Sequence, residues 1–140
     1  MWDETYLAAL AHIVKDGRAL LPLSRRRRVW KTVGGRTEPG ETPEQTMLRE
    51  VNEEIGIRPS AFRRLPDRIV DAYDHPARIA LFVITEWEGE PANVASDEHS
   101  EIRWFAAHEI PALRLQDVVK REVLDLLREL DFAAEGPPQA

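Results

Sequence analysis

The segment from Val33 to Gly56 constrains the architecture of this chain more than any other. The stretch Val33-Gly34-Gly35-Arg36-Thr37-Glu38-Pro39-Gly40-Glu41 holds three glycines and one proline, a composition that predicts a loop and excludes a regular element. A helix starts directly after it. Thr42 suits the N-cap, Pro43 the first helical position, and Gln45 the place where a capping box wants Glu or Gln. Gly56 ends the helix. Met47, Leu48, Val51 and Ile55 recur with helical period and form the side expected to pack on a sheet, while Glu50, Glu53 and Glu54 fall on a neighbouring arc facing away.

Helix residues three and four positions apart are neighbours, so Glu50, Glu53 and Glu54 share one patch of surface, with Glu41 near the helix entrance. Arg49 stands four residues before Glu53 and holds part of this charge, but a single guanidinium does not neutralise so many carboxylates. A hard divalent cation does. Magnesium takes oxygen ligands, keeps several waters and is completed by substrate phosphates, which suits the cluster better than zinc or copper chemistry. The chain has no cysteine, which removes disulfides, thiolate nucleophiles and cysteine-ligated metal centres.

With 140 residues the chain predicts one domain, taken as 1–132, followed by a flexible tail over 133–140 that contains Gly136-Pro137-Pro138. Leu7–Val14 and Ala19–Leu23 read as two strands around the turn Lys15-Asp16-Gly17, with Pro22 placing the second strand at an edge or making it irregular near its end. Ile69–Tyr73 and Ile79–Trp87 read as further strands, the latter so continuously apolar that it should be central and covered on both faces. Ala92–Ser100 reads as a loop, Ile102–Phe105 as a short strand, and Asp117–Leu130 as an amphipathic helix. The N-terminus lacks the pattern of a secretion signal, and no apolar run is long enough to span a bilayer, so a cytoplasmic protein without membrane partners is expected. A net charge of -6, from 25 acidic and 19 basic residues, argues against general affinity for nucleic acid.

From Gly35 the chain reads Gly, five residues, Glu41, seven residues, then Arg49-Glu50-Val51-Asn52-Glu53-Glu54-Ile55-Gly56-Ile57, which resembles the signature of the Nudix hydrolase family at every fixed position. Trp30 ahead of Val33-Gly34-Gly35 is similar to that family's Trp-x-x-Pro-Gly-Gly approach, with valine in place of proline. Glu101-Ile102-Arg103-Trp104-Phe105 resembles its late Glu-x-x-Trp strand, and Glu86–Pro91 with Glu98 resembles its short MutT-like members. The resemblance covers most of Leu7–Leu130. It implies an α+β fold, an alpha-beta-alpha sandwich around a mixed sheet, and hydrolysis of a phosphoanhydride bond in a nucleoside diphosphate linked to another moiety.

The implied substrate is a small nucleotide, foremost a nucleoside triphosphate. ADP-ribose, a nucleotide sugar or a catalytically silent sensing role are the alternatives, and the chain would act as monomer or homodimer. By position, Glu54 and Glu50 would be the main ligands of Mg2+, with Mn2+ as a substitute, Glu53 a further or water-mediated ligand, the Gly35 carbonyl another, and Glu98 a ligand from the late loop. Arg49 would orient the carboxylates, braced by Glu41, with Gly34 and Gly56 shaping the site. The general base would be Glu50 or, second, Glu98. In MutT-like enzymes that remove oxidised guanine nucleotides an asparagine near the start of the last helix helps read the base, and Ala112–Gln116 holds none.

The basic residues Arg25, Arg28, Lys31 and Arg36 are candidates for steering substrate phosphates. The run Arg25–Arg28 also admits a solvated loop or a nucleic-acid patch. His12 reads as a satisfied core or edge histidine. His75, His99 and His108 are too scattered to form a metal set by spacing, though His99 beside Glu98 is placed to touch substrate. Trp30 and Trp104 read as core, and Trp87 or Tyr73 as a base-stacking candidate.

Overall fold

The computed structural model describes residues 6–72 and 75–135. Along the chain lie β1 (Tyr6–Lys15), β2 (Arg18–Ser24), β3 (Val33–Arg36), α1 (Pro43–Ile55), β4 (Arg58–Ala72), β5 (His75–Glu88), β6 (His99–Ala106), a 3-10 helix (Ala107–Ala112) and α2 (Asp117–Glu135). The sheet runs β4-β5-β1-β2-β6, with β3 added on β1. β1 pairs antiparallel with β2 and β3 and parallel with β5, so the sheet is mixed. No described helix is long and apolar enough to cross a membrane.

Side chains alternate across a strand, and both faces of this sheet are covered. Ile13, Phe82 and Ile84 pack against Met47, Val51 and Ile55 of α1. Val14, Val83 and Phe105 pack on the other face against Val119, Val123 and Leu127 of α2. The result is the expected sandwich of helix, sheet and helix, with β5 inside the sheet and buried from Ala80 to Ile84.

α1 begins and ends where its sequence directs. Thr42 accepts from the Gln45 backbone, the Gln45 side chain accepts from the Thr42 N–H, and Gly56 takes the left-handed conformation at φ 72°. β1 contacts β2 only through Ile13–Lys15 and then turns its earlier residues, Ala8–Ala11, to β3. Pro22 therefore pairs with Ile102 of β6 on one side and lies beyond the β1 ladder on the other, so its missing N–H interrupts nothing there.

Several elements differ from the expectation. The loop expected from Val33 to Glu41 starts as a strand: Gly34 and Gly35 sit opposite Leu10 and Ala9 because the missing side chains let the two backbones close up. The strand expected at Ile69–Tyr73 is the end of a much longer one that begins at Arg58. Charged residues and two prolines along Arg58–Asp67 mask its β pattern, and Tyr73 lies outside the described residues. β6 starts at His99, inside the expected loop. α2 continues through Glu135, into the segment expected as tail, and 136–140 lie outside the described residues. Leu48, expected on the packed side of α1, is 36% exposed.

Gly34 is the tightest of these positions. At φ 140° it occupies a backbone region that L side chains rarely adopt, and an added Cβ would lie 2.3 Å from the Ala9 carbonyl oxygen. Gly34→Ala should lower unfolding free energy by about 3 kcal/mol through strain and displacement of β3. Urea denaturation of parent and mutant measures this, and a loss below about 1 kcal/mol would show that β3 yields freely.

Candidate active site

Arg49 organises the entrance to α1. Its Nε donates to Glu41 Oε2 at 2.7 Å, and its Nη2 donates to Glu41 Oε1 at 2.9 Å and to the Arg36 carbonyl at 3.1 Å. Its Nη1 donates to Glu50 Oε1 at 2.9 Å and to Glu53 Oε2 at 3.4 Å. These contacts use all five N–H groups of the guanidinium, so Arg49 acts by positioning carboxylates and the glycine strand. The hydrogen bonds from Arg49, helped by those from the Glu38 backbone and Thr46, hold Glu41 well below the usual carboxylate range, at about 2. Glu41 also accepts from Thr46 and from the Glu38 backbone, which folds the 37–41 loop over the helix start.

The glutamates of α1 do not share one environment. Glu53 is mostly exposed, and Glu50 lies against the strand, where a Cβ on Gly35 would stand 2.6 Å from its carboxyl carbon. Glu54, expected on the outward arc, is only 3% exposed, because the helix is turned so that its carboxylate lies under β3. There its Oε2 accepts from the Gly34 N–H at 2.7 Å. Its other oxygen is 3.6 Å from His99 Nε2. One donor atom each from Glu54, Glu98 and His99 lie within 4.8 Å of one another, so the scattered histidines form no set among themselves but one of them joins two glutamates.

The loop before β6 is fixed from both ends. Ala92 N–H donates to the Ile55 carbonyl at 3.0 Å, and Val94 and Ala95 donate to that of Glu54 at 3.1 and 3.3 Å, satisfying backbone acceptors that the end of α1 leaves open. From the other side the Arg25 backbone N–H donates to the Glu98 carbonyl at 2.9 Å, the Arg25 side chain to the Ser96 carbonyl at 3.1 Å, and Arg28 Nη1 to Ser100 Oγ at 3.3 Å. Arg25 and Arg28 thus brace the loop that carries Glu98 and His99. The Arg36 side chain is exposed, and only its carbonyl enters the Arg49 network.

A cavity of about 300 Å³ opens beside Gly34, lined among others by Leu10, Trp30, Lys31, Thr32, Leu115 and Gln116. Trp30, half-buried, meets Phe105 edge-on at 4.7 Å. Thr32 Oγ1 is buried and has no hydrogen-bond partner. Sequence reasoning missed Thr32 and Gln116, since neither belongs to a motif, and it placed His99 at the substrate without seeing its contact with Glu54. Trp87, a stacking candidate, is stacked on Trp104 at 6.0 Å beside Lys15 and Arg18 of the β1–β2 turn.

A capped helix presents carboxylates to a glycine strand in a sandwich of this topology, and Glu54, Glu98 and His99 form a candidate group for a metal ion. Residues 5–127 match the NUDIX domain, and the chain belongs to the Nudix family. Over 61 residues it is 41% identical to the 8-oxo-dGTP diphosphatase of Proteus vulgaris, covering 44% of this chain and 54% of that one. It is 29% identical over 98 residues to the NAD-capped RNA hydrolase NudC of Pseudomonas putida (strain W619), covering 70% of this chain and 34% of that one. The chain thus spans about half of the first relative and a third of the second. The crystal structure of the MutT NUDIX hydrolase from Burkholderia pseudomallei superposes with a TM-score of 0.73 at 28% identity, over 87% of this chain and 98% of that one.

Burial raises the Glu54 carboxyl from 4.5 to about 7, against the pull of the Gly34 N–H and Lys31. Because the folded value exceeds the unfolded one, Glu54 contributes stability that is complete below pH 4.5 and lost as pH rises through 7, roughly 3 kcal/mol in total. His99, lowered by burial from 6.5 to about 4, has the opposite slope: its contribution is present above 6.5 and lost as pH falls through 4. The Glu54 effect therefore appears in the difference between parent and Glu54→Gln, which keeps an oxygen acceptor for Gly34. In chelator the mutant should gain on the parent as pH rises from 5 to 8, ending about 3 kcal/mol more stable. Urea titrations at the two pH values measure this, and a constant difference would mean that Glu54 is ionised without strain.

Proposed function

We propose that this protein hydrolyses a phosphoanhydride bond in a nucleoside diphosphate linked to another moiety, foremost a nucleoside triphosphate, with Mg2+ as cofactor and Mn2+ as a substitute. The observation that carries this reading is the continuity of two differently built spaces. Gly34 donates its N–H to the buried Glu54 and also lines the cavity of Leu10, Trp30, Thr32, Leu115 and Gln116. Carboxylates thus adjoin a space of mixed apolar and polar walls in which Thr32 Oγ1 is unpaired, which suits a nucleobase whose pyrophosphate reaches the helix. Both relatives are named for action on nucleotide-derived substrates.

The donor set fits a hard cation. Glu54 is a buried carboxylate with no counter-ion bonded to it; beyond burial, the charges of Glu50 and Glu98 raise its proton affinity, and those of Glu53 and Glu98 raise that of Glu50. In this reading Glu50, Glu54 and the Gly35 carbonyl hold the cation, with Glu53 through water and Glu98 from the late loop. When bound, the cation neutralises phosphate charge and lowers the pKa of water. Burial lifts Glu50 above its ordinary value, and Arg49 hydrogen-bonds its Oε1, so Glu50 is suited to take the proton of the attacking water. Lys31 lines the nucleotide cavity with its positive charge acting on Glu54, and is the steering residue of this reading. Gln116, immediately before α2, lines the same cavity and offers an amide to a base edge.

The test is hydrolysis by purified protein across nucleoside triphosphates, ADP-ribose, dinucleoside polyphosphates and nucleotide sugars. Turnover should vanish in chelator and return with Mg2+. On the best substrate Glu50→Gln should lower kcat about a hundredfold or more with little change in KM, as expected for loss of a general base. A full kcat in that mutant, with the loss appearing in Glu98→Gln, moves the base to Glu98. Nucleotide binding without turnover of any compound would make the protein a sensor and end the proposal.

A further inference from the structure

His99 is 0% exposed, yet neither Nδ1 nor Nε2 has a hydrogen-bond partner. Buried polar atoms of this kind are rare and often mark a missing ion or water. The ring is not adrift. Its backbone N–H donates to the Ala95 carbonyl at 3.0 Å, its carbonyl accepts from Asn93 Nδ2 at 2.8 Å, and the same loop is tied to the last turn of α1. Nε2 is thereby held 3.6 Å from Glu54 Oε1, beyond the length of a hydrogen bond.

We propose that Glu54, Glu98 and His99 form a cation site of mixed oxygen and nitrogen donors, which binds Mn2+-class ions more tightly than Mg2+. The inference rests on the reading of the carboxylate cluster as a cation site and adds to it a nitrogen ligand. Two donors bonded to one divalent ion lie roughly 3 to 4.4 Å apart, given bonds of 2.0 to 2.2 Å. The 3.6 Å between Glu54 and His99 falls inside that range, and all three donor atoms lie within 4.8 Å. A neutral imidazole has a lone pair to give, and Nε2 faces Glu54 with no hydrogen-bond partner of its own. Imidazole is a poor ligand for Mg2+ and a good one for first-row transition metals, so one nitrogen among carboxylates shifts preference without abolishing Mg2+ binding through oxygen.

The experiment uses the full chain stripped of metal, with Mn2+ alone as probe. Pulsed electron paramagnetic resonance should detect an imidazole nitrogen coupled to Mn2+. The coupling should change on 15N-histidine labelling and vanish in His99→Gln. By calorimetry the mutant should bind Mn2+ about tenfold or more weakly, with Mg2+ affinity within about twofold of the parent. Because His99 is unsatisfied without metal, the metal-free mutant should melt no lower than the parent. Should it fail to fold, the labelled parent still decides. Bound Mn2+ with no histidine nitrogen coupling overturns the inference and leaves the oxygen site standing. Absence of any divalent binding, with or without a non-hydrolysable nucleoside triphosphate, overturns both.

Discussion

The bidentate contact between Arg49 and Glu41 is the constraint on which the site depends. α1 and β3 are joined by a loop with a proline and a glycine, and something must fix one element against the other. Arg49 does so by gripping Glu41 before the helix and the Arg36 carbonyl at the end of the strand. Its remaining donors fall on Glu50 and Glu53, so the same guanidinium that closes the loop aims the carboxylates. A lysine would supply the charge without the planar fork and would leave part of this network open.

Glu54 brings the opposite tension. A buried carboxylate opposes folding unless hydrogen bonds or a counter-ion compensate it, and the Gly34 N–H supplies only part of that compensation. His99 is a second unsatisfied group against the same carboxylate. The fold therefore holds two polar groups in a place that suits them poorly, and the packing of Val51 and Ile55 keeps them there. Such local conflict is expected where function, rather than stability, selects the residues.

Much of this arrangement is legible in the sequence, for physical reasons that differ by element. α1 is legible because its caps are local chemistry, and β5 because burial on both faces demands a continuous apolar run. β3 is not, since its glycines are strand residues only by virtue of what β1 does opposite them. β4 is hidden by arginines whose partners lie far off, such as Arg63 with Glu129 and Arg68 with Glu122. Among site residues, the spacing of Arg49, Glu50, Glu53 and Glu54 announces the cluster, but not that Glu54 is the buried member. That distinction depends on the rotation of α1 about its axis, which a sheet edge decides. The bracing by Arg25 and Arg28 escapes sequence reasoning too, because an arginine run looks alike whether it faces phosphate or a loop carbonyl.

The parallel pairing of β1 with β5 sets the order in which these parts can assemble. Ala8 lies beside Ile79 and Ile13 beside Ile84, so the first strand of the chain gains its second edge only when one of the last strands arrives. On a ribosome, β1, β2, β3 and α1 emerge well before that partner does. Until then the hairpin of β1 with β2, and β3 with its glycines, rest on a strand with one edge bare. Contacts between such distant segments slow folding and leave an unpaired strand exposed meanwhile. The nascent chain therefore carries its carboxylate helix on a half-paired strand until β5 has emerged, and the centre takes shape only once β5 and the loop bearing Glu98 and His99 have followed.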